Sequence, residues 1–236
     1  MYTFYITAHS FISAQSVEAD STGNFLWKNI SSRPNERFGR FDLLTKYALA
    51  AVELLNLPLD EPKDSSKALI LETQSGSLAV DEHYYSSKQQ NPPSPALFTY
   101  TLPSVALGEI AIRYRLTGPN LTILSQNIAG TLGLLESARM LWRKECSEVI
   151  FIMANGTNKQ NSLFKDFSPS SALALRLGST PTASKLKLVV NKMENNPSPH
   201  LPIRPLISYL EEDAAGSWES FLQLGNNGYN LKITAI

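Results

Sequence analysis

An apolar, β-branched run, Leu121-Thr-Ile-Leu124, stops at Ser125-Gln-Asn127. A helical pattern then begins at once, carried by Ala129, Leu132, Leu134, Leu135, Ala138, Met140 and Leu141. A strand that feeds a buried helix through so short a turn belongs to a layered α/β arrangement. Such a turn sets one side chain at a helix N-terminus. There the unpaired N–H groups and the macrodipole favour negative charge and depress a thiol's pKa. The side chain at that point is Asn127. An amide does not ionise and is not a usable nucleophile.

The rest of the chain alternates in the same way. Tyr2 to Ala8 is rich in aromatic and β-branched residues and reads as a strand, and residues 15–37 read as a polar loop. Phe41, Leu44, Tyr47, Ala48, Ala51, Val52 and Leu55 recur at helical spacing, and Pro58 ends that helix. Ala68 to Glu72 reads as a short buried strand and Leu78 to Ser87 as a helix, with a break at Asn91-Pro-Pro-Ser-Pro95. Leu102 to Arg115 reads as helix and Gly118-Pro119 as a turn. The strand 121–124 and a long helix from about 127 to 144 follow. Glu148 to Ala154 is a near-continuous apolar strand, closed by the turn Asn155-Gly156. Ser171 to Leu177 and Lys185 to Val190 alternate like paired strands. Residues 195–205 are proline-rich, Ile207 to Leu224 reads as helix, and Tyr229 to Ile236 reads as a final strand. The pattern predicts a single α/β domain over residues 1–236 with a mostly parallel sheet.

Several function classes are disfavoured. Lys plus Arg and Asp plus Glu are both 21, so the net charge is zero, where a nucleic-acid protein would show a basic stripe. One cysteine, Cys146, and three scattered histidines form no metal-ligand spacing, and no cofactor is expected. His9 reads as a strand-end residue, His83 as solvated and His200 as a turn residue; Glu211-Glu-Asp213 reads as a solvated run. Neither a Gly-x-Ser-x-Gly elbow nor a phosphate loop occurs. The N-terminus has no secretory pattern, and no apolar run approaches the ~20 residues of a membrane span, so a cytoplasmic protein is expected.

The segments around the turn resemble the β-ketoacyl synthases, condensing enzymes of the thiolase fold. Ser94-Pro-Ala-Leu-Phe-Thr-Tyr-Thr-Leu-Pro103, Gly108-Glu-Ile-Ala-Ile112 and Leu116-Thr-Gly-Pro119 are similar to the approach to that family's active-site turn. Asn127-Ile-Ala-Gly130 aligns with its Cys-x-x-Gly, so Asn127 stands where the nucleophilic cysteine would be. Arg37-Phe-Gly-Arg40, Leu71-Glu-Thr-Gln-Ser-Gly-Ser77 and Ser171-Ala-Leu-Ala-Leu175 match further segments in the right order. The resemblance implies one thiolase-like half, a βαβαβαββ layered core over about residues 1–190. The family packs two such halves in five layers. Residues from about 191 to 236 are an unmatched C-terminal extension, expected to cap the helical layer that the second half would cover. The family's two catalytic histidines lie in the absent half.

The resemblance therefore implies a chain-length-factor-like subunit with no catalytic residue of its own. It would form a heterodimer with a full-length β-ketoacyl synthase that acts on an acyl carrier protein. The single-half form resembles partner subunits of bacterial aryl polyene pathways. Leu121, Thr122, Ile123 and Leu124 would form the dimer strand. Leu97, Phe98, Tyr100 and Leu102 would wall the partner's acyl pocket, a role that ordinary interface or core packing matches equally well. The alternative is an enzyme, an acyl-thioester decarboxylase or other truncated relative, which needs a replacement catalytic group; Gln126 lies one residue before the aligned position.

Overall fold

One eight-stranded sheet, ordered β3-β2-β4-β5-β1-β6-β8-β7, organises the chain. The computed structural model describes residues 2–88, 94–125, 131–157, 170–181, 186–193, 217–224 and 227–235. In chain order the elements are β1 (Tyr2–Ser13), α1 (Leu43–Glu53), β2 (Lys67–Thr73), α2 (Leu78–Lys88), α3 (Pro95–Thr99), α4 (Val105–Tyr114), β3 (Asn120–Leu124) and α5 (Thr131–Trp142). Then follow β4 (Glu148–Asn155), β5 (Ser171–Gly178), β6 (Leu186–Met193), β7 (Ser217–Leu224) and β8 (Asn227–Ala235). With α2 to α4 counted as one helical connection, β1 to β5 give the predicted βαβαβαββ order.

The sheet has two apolar faces because its central strands are buried on both. Leu69 and Leu71 of β2 join a core with α1 and α4, while Ala68 and Ile70 join the α5 side. In β1 the pairing with β5 slips between Ile6 and Ala8. Such a bulge exchanges the faces of the strand. Phe4 and Ile6 accordingly pack on the α5 side, and Ile12 packs on the α1 side.

Three sequence expectations need correction. The sheet is not mostly parallel: β2 is parallel to β3 and β4, and every other pairing is antiparallel. Connections through helices produce the parallel trio, whereas β5 pairs antiparallel with β4. The strands β5 and β6 do not pair with each other; β1 lies between them. Residues 217–224, expected to be helical, form β7 against β8, with register Leu224↔Asn227. The intervening dipeptide, Gly225-Asn226, is a hairpin type, and that local signal overrides the helical spacing of Leu210, Trp218 and Phe221. The described strands of the extension widen the sheet beyond β1, and β7 also approaches α5. Leu186, Leu188, Val190, Leu231 and Ile233 continue the α5-side core. The proline-rich stretch 195–205, with His200, and the acidic run 211–213 lie outside the described residues.

α1 starts at an Asp42 cap that accepts from the Thr45 N–H, and every residue from Leu44 to Glu53 is buried. The loop 14–41 closes over its outer face. Phe25 meets Tyr47 and Phe38 at ring separations of 5.0 and 5.3 Å. At the end of α1, Glu53 accepts from Arg33 Nε (2.6 Å), Arg113 Nε (2.9 Å), Ser31 Oγ (2.8 Å) and Tyr114 Oη (2.5 Å). Burial alone would raise the pKa of this carboxyl, but the hydrogen bonds from Arg113, Tyr114 and Ser31 outweigh it and hold it below the usual range. The folded value lies below the unfolded one. Its stabilisation is therefore present above the unfolded pKa and lost as pH falls through the folded one. Glu53→Ala leaves two guanidinium groups without their buried partner and is expected to cost about 3–5 kcal/mol at neutral pH. The variant should also show a shallower loss of stability as pH falls below the ordinary glutamate value of about 4.3, because it has no carboxylate whose protonation favours the unfolded chain; denaturant titrations across pH read both effects.

Candidate functional site

The carboxyl ends of β2, β3 and β4 lie side by side, and that of β2 meets α5 at Gly133. Along β2 the α5-facing column is Ala68, Ile70 and then Glu72, so an apolar column ends in a carboxylate that is 1% exposed. Glu72 accepts from Ser125 Oγ through one oxygen (2.8 Å) and from the Gly133 N–H through the other (2.8 Å). Burial pushes its pKa up, and those two hydrogen bonds only partly offset the shift. Gly133 permits this contact. A Cβ at position 133 would lie 2.2 Å from the Phe151 ring and 2.9 Å from the Glu72 carboxylate. Beside them, Asn155 Oδ1 gathers the loop after β2, accepting from the N–H of Gln74 (3.2 Å) and of Ser75 (3.4 Å).

β3 is an edge strand: among the described residues it pairs only with β2. Pro119 O accepts from Leu69 N, and Ser125 N donates to Thr73 O. Alternate residues of a parallel strand bond to the same neighbour, so the odd-numbered residues face β2. The backbone groups of Asn120, Thr122 and Leu124 therefore face outward. Leu121 and Ile123 are half-buried against the α5-side core, and Leu124 is 64% exposed. The strand carries no charge and no proline, the usual protections of an open edge.

Residues 94–104 lead up to this edge. Ser94 caps α3 by accepting from the Leu97 N–H (3.2 Å), and Pro95 occupies its first turn. Leu97 is half-buried, while Phe98 and Leu102 are 54% and 55% exposed. Phe98 contacts the Tyr84 ring at 5.6 Å. Tyr100 turns the other way and packs on the α1-side core, 6.2 Å from Phe41. The four residues named from the sequence thus divide, with Tyr100 belonging to the core margin. Gly76, at φ +52°, joins this segment to β3. A Cβ there would lie 3.2 Å from the Pro103 ring and 3.3 Å from Leu124.

Asn127 and Gln126 lie outside the described residues, and α5 is described from Thr131 onward rather than from 127. His9 lies inside β1, not at its end, and His83 lies on α2; both are exposed. Among the described residues no group of three or more His, Cys, Asp or Glu is placed to hold a metal ion, and no helix is long and apolar enough to cross a membrane. Sequence reasoning quoted Glu72 within a motif but assigned it no role. Its signal was a lone acid at an inward position of an otherwise apolar strand.

These features define a fold: a mixed α/β sheet with the βαβαβαββ order of one thiolase-type half, the architecture of the ketosynthases. No family model matches the chain, and no curated protein matches it. Among solved structures it is similar to the ketosynthase ApeO in complex with its chain length factor ApeC from Xenorhabdus doucetiae. That match has 16% identity and a TM-score of 0.64, and it covers 98% of this chain and 99% of that one. The ishigamide ketosynthase/chain length factor matches at 19% identity and TM-score 0.65, over 81% of this chain and 67% of that one. AntDE:AntF, a type II polyketide synthase acyl-carrier protein in complex with its ketosynthase, matches at 11% and 0.59, over 82% and 70%.

Glu72→Ala removes the acceptor of a buried N–H and of a hydroxyl. It is expected to cost about 1–3 kcal/mol for each donor left unmade, which lowers the thermal midpoint by about 2–4 °C per kcal/mol in a chain of this size. Gly133→Ala should destabilise at least as strongly, because α5 must then lift from Phe151. Calorimetry of both variants checks the seat of α5; midpoints equal to wild type would contradict it.

Proposed function

We propose that this chain is a non-catalytic, chain-length-factor-like subunit that pairs through β3 with a full-length β-ketoacyl synthase. In this reading the partner carries the reaction on an acyl carrier protein, and Leu97, Phe98 and Leu102 help bound its acyl pocket. The observation that carries the reading is the uncharged edge of β3, open among the described residues and continuous through Leu124, Gly76 and Pro103 with the exposed residues of α3. Such an edge is an aggregation liability unless another chain covers it. Support comes from the ApeO:ApeC complex, which holds a ketosynthase and its chain length factor and contains a chain that matches this one over nearly its whole length. An aryl polyene product class is the finer form of the proposal and rests on the resemblance of the single-half sequence.

The alternative, a truncated enzyme with its own activity, needs a replacement acid or base at the turn. Glu72 is the described carboxylate bonded there, and both its oxygens are engaged away from solvent. That arrangement favours a fixed structural role.

Co-expression with a full-length β-ketoacyl synthase of the same organism should yield a stable complex with an interface above ~2,000 Å². Ile123→Asp places a charge against the α5-side core beside the edge and should abolish co-elution on size exclusion. Phe98→Ala, at an exposed site, should leave the fold within about 0.5 kcal/mol of wild type and lengthen the products of the complex. No co-elution of the wild-type chain contradicts the pairing, and an unchanged product profile from an intact Phe98→Ala complex contradicts the pocket role.

A further inference from the structure

Three segments far apart in sequence meet at one carboxylate. Glu109 lies in Gly108-Glu-Ile-Ala-Ile112, on the inward face of α4 with Ala106, Leu107, Ile110 and Tyr114, and it is 8% exposed. A carboxylate on that face is costly to bury unless its oxygens are bonded. Arg37, from Arg37-Phe-Gly-Arg40, is half exposed and donates from Nη2 to Glu109 Oε1 at 2.6 Å. Tyr100, from the segment 94–103, gives its hydroxyl to the same carboxylate. Burial pushes the Tyr100 pKa up and the Glu109 charge adds to the shift, so the phenol stays protonated and is the donor. The ring is held as well: Phe41 lies 6.2 Å from Tyr100 and 6.1 Å from the buried Phe38.

Tyr100 is also the C-cap of α3, its N–H donating to Leu97 O at 3.1 Å. α3 has 5 residues, none of them buried, and a helix so short does not persist by itself. Its orientation therefore depends on its ends, the Ser94 cap at the start and Tyr100 at the finish. Phe98 and Leu102, both exposed, stand two positions before and after Tyr100. Turn bonds from Thr101 N to Phe98 O (3.1 Å) and from Val105 N to Leu102 O (3.0 Å) tie both to the anchored stretch.

We propose that Tyr100 is the positioning residue of the partner-facing wall: Glu109 and Arg37 hold its hydroxyl, Phe41 holds its ring, and together they fix the orientation in which Phe98 and Leu102 meet the partner's acyl chain. The proposal rests on the non-catalytic reading above and deepens it. Tyr100 contacts no substrate. It sets how sharply product length is defined, because a wall that tilts stops chains at several lengths.

Tyr100→Phe keeps the ring and removes the donor. In the isolated chain the amides of Phe98, Tyr100 and Thr101 should exchange at least about tenfold faster than in wild type, as expected for the loss of a hydrogen bond to a charged group. Amides inside α1 and β4 should keep their rates. In the complex with a full-length β-ketoacyl synthase, the same variant should turn one dominant product length into a spread on both sides of it. Glu109→Gln retains an acceptor for Arg37 and an NH2 that donates to the Tyr100 oxygen, and should keep exchange and product profile close to wild type. Glu109→Leu, of similar volume, should reproduce Tyr100→Phe. Wild-type exchange at the three amides in Tyr100→Phe overturns the anchor, and faster exchange with an unchanged product profile overturns its bearing on length. If Glu109→Leu does not fold, Tyr100→Phe decides by itself. Co-elution of the wild-type chain is scored first: its absence counts against the pairing, while exchange in the isolated chain still decides the anchor.

Discussion

Position 133 carries no side chain, and α5 lies so close to β4 that a methyl group there would overlap the Phe151 ring. That approach brings the Gly133 N–H to the end of β2, where Glu72 waits at the top of an apolar column. Glu72 in turn reaches Ser125 at the end of β3. Three elements meet on one carboxylate, and the edge strand is tied to the core through it. With the seat of α5 removed, β3 keeps its ladder to β2 but loses the side-chain bond that fixes its end relative to the helix.

The sheet is widened beyond β1 by the C-terminal strands. Strands β2, β3 and β4 are parallel because helices connect them, and β2 and β4 lie between apolar helical layers. Beyond β1 the chain adds β6, β8 and β7 in antiparallel order, and these strands extend the α5-side core. On the opposite face, α1 is closed over by an aromatic clasp and by the Glu53 cluster. The β3 edge receives no such cover among the described residues, and that asymmetry points to a partner.

Much of this was legible in the sequence. The apolar runs at β2 and β4, the strand at 121–124 and the helical spacing of α1 and α5 are strong local signals, and over the described residues all five elements stand where they read. β7 did not read correctly, because Trp218 and Phe221 fit a helical spacing while the Gly-Asn dipeptide, a hairpin signal in sequence, comes only after them. Strand neighbours were not legible either: β5 and β6 alternate alike, yet the strand between them comes from the N-terminus, and sequence adjacency says nothing of that insertion. The resemblance grouped Tyr100 with Phe98, and in the fold Tyr100 packs on the α1-side core while Phe98 is exposed beside Tyr84. The bonds of Glu72 depend on a close approach over 61 residues, which no local pattern reports.

Hydrogen exchange at the β3 edge tests the pairing most directly. The amides of Asn120, Thr122 and Leu124 face away from β2, and in the isolated chain they should exchange quickly. Adding the ketosynthase should protect these three while the interior amides of β2 and β4 stay as slow as before. A complex that forms with the three edge amides still exchanging at their free rate would contradict the account, because the partner would then be bound somewhere other than β3.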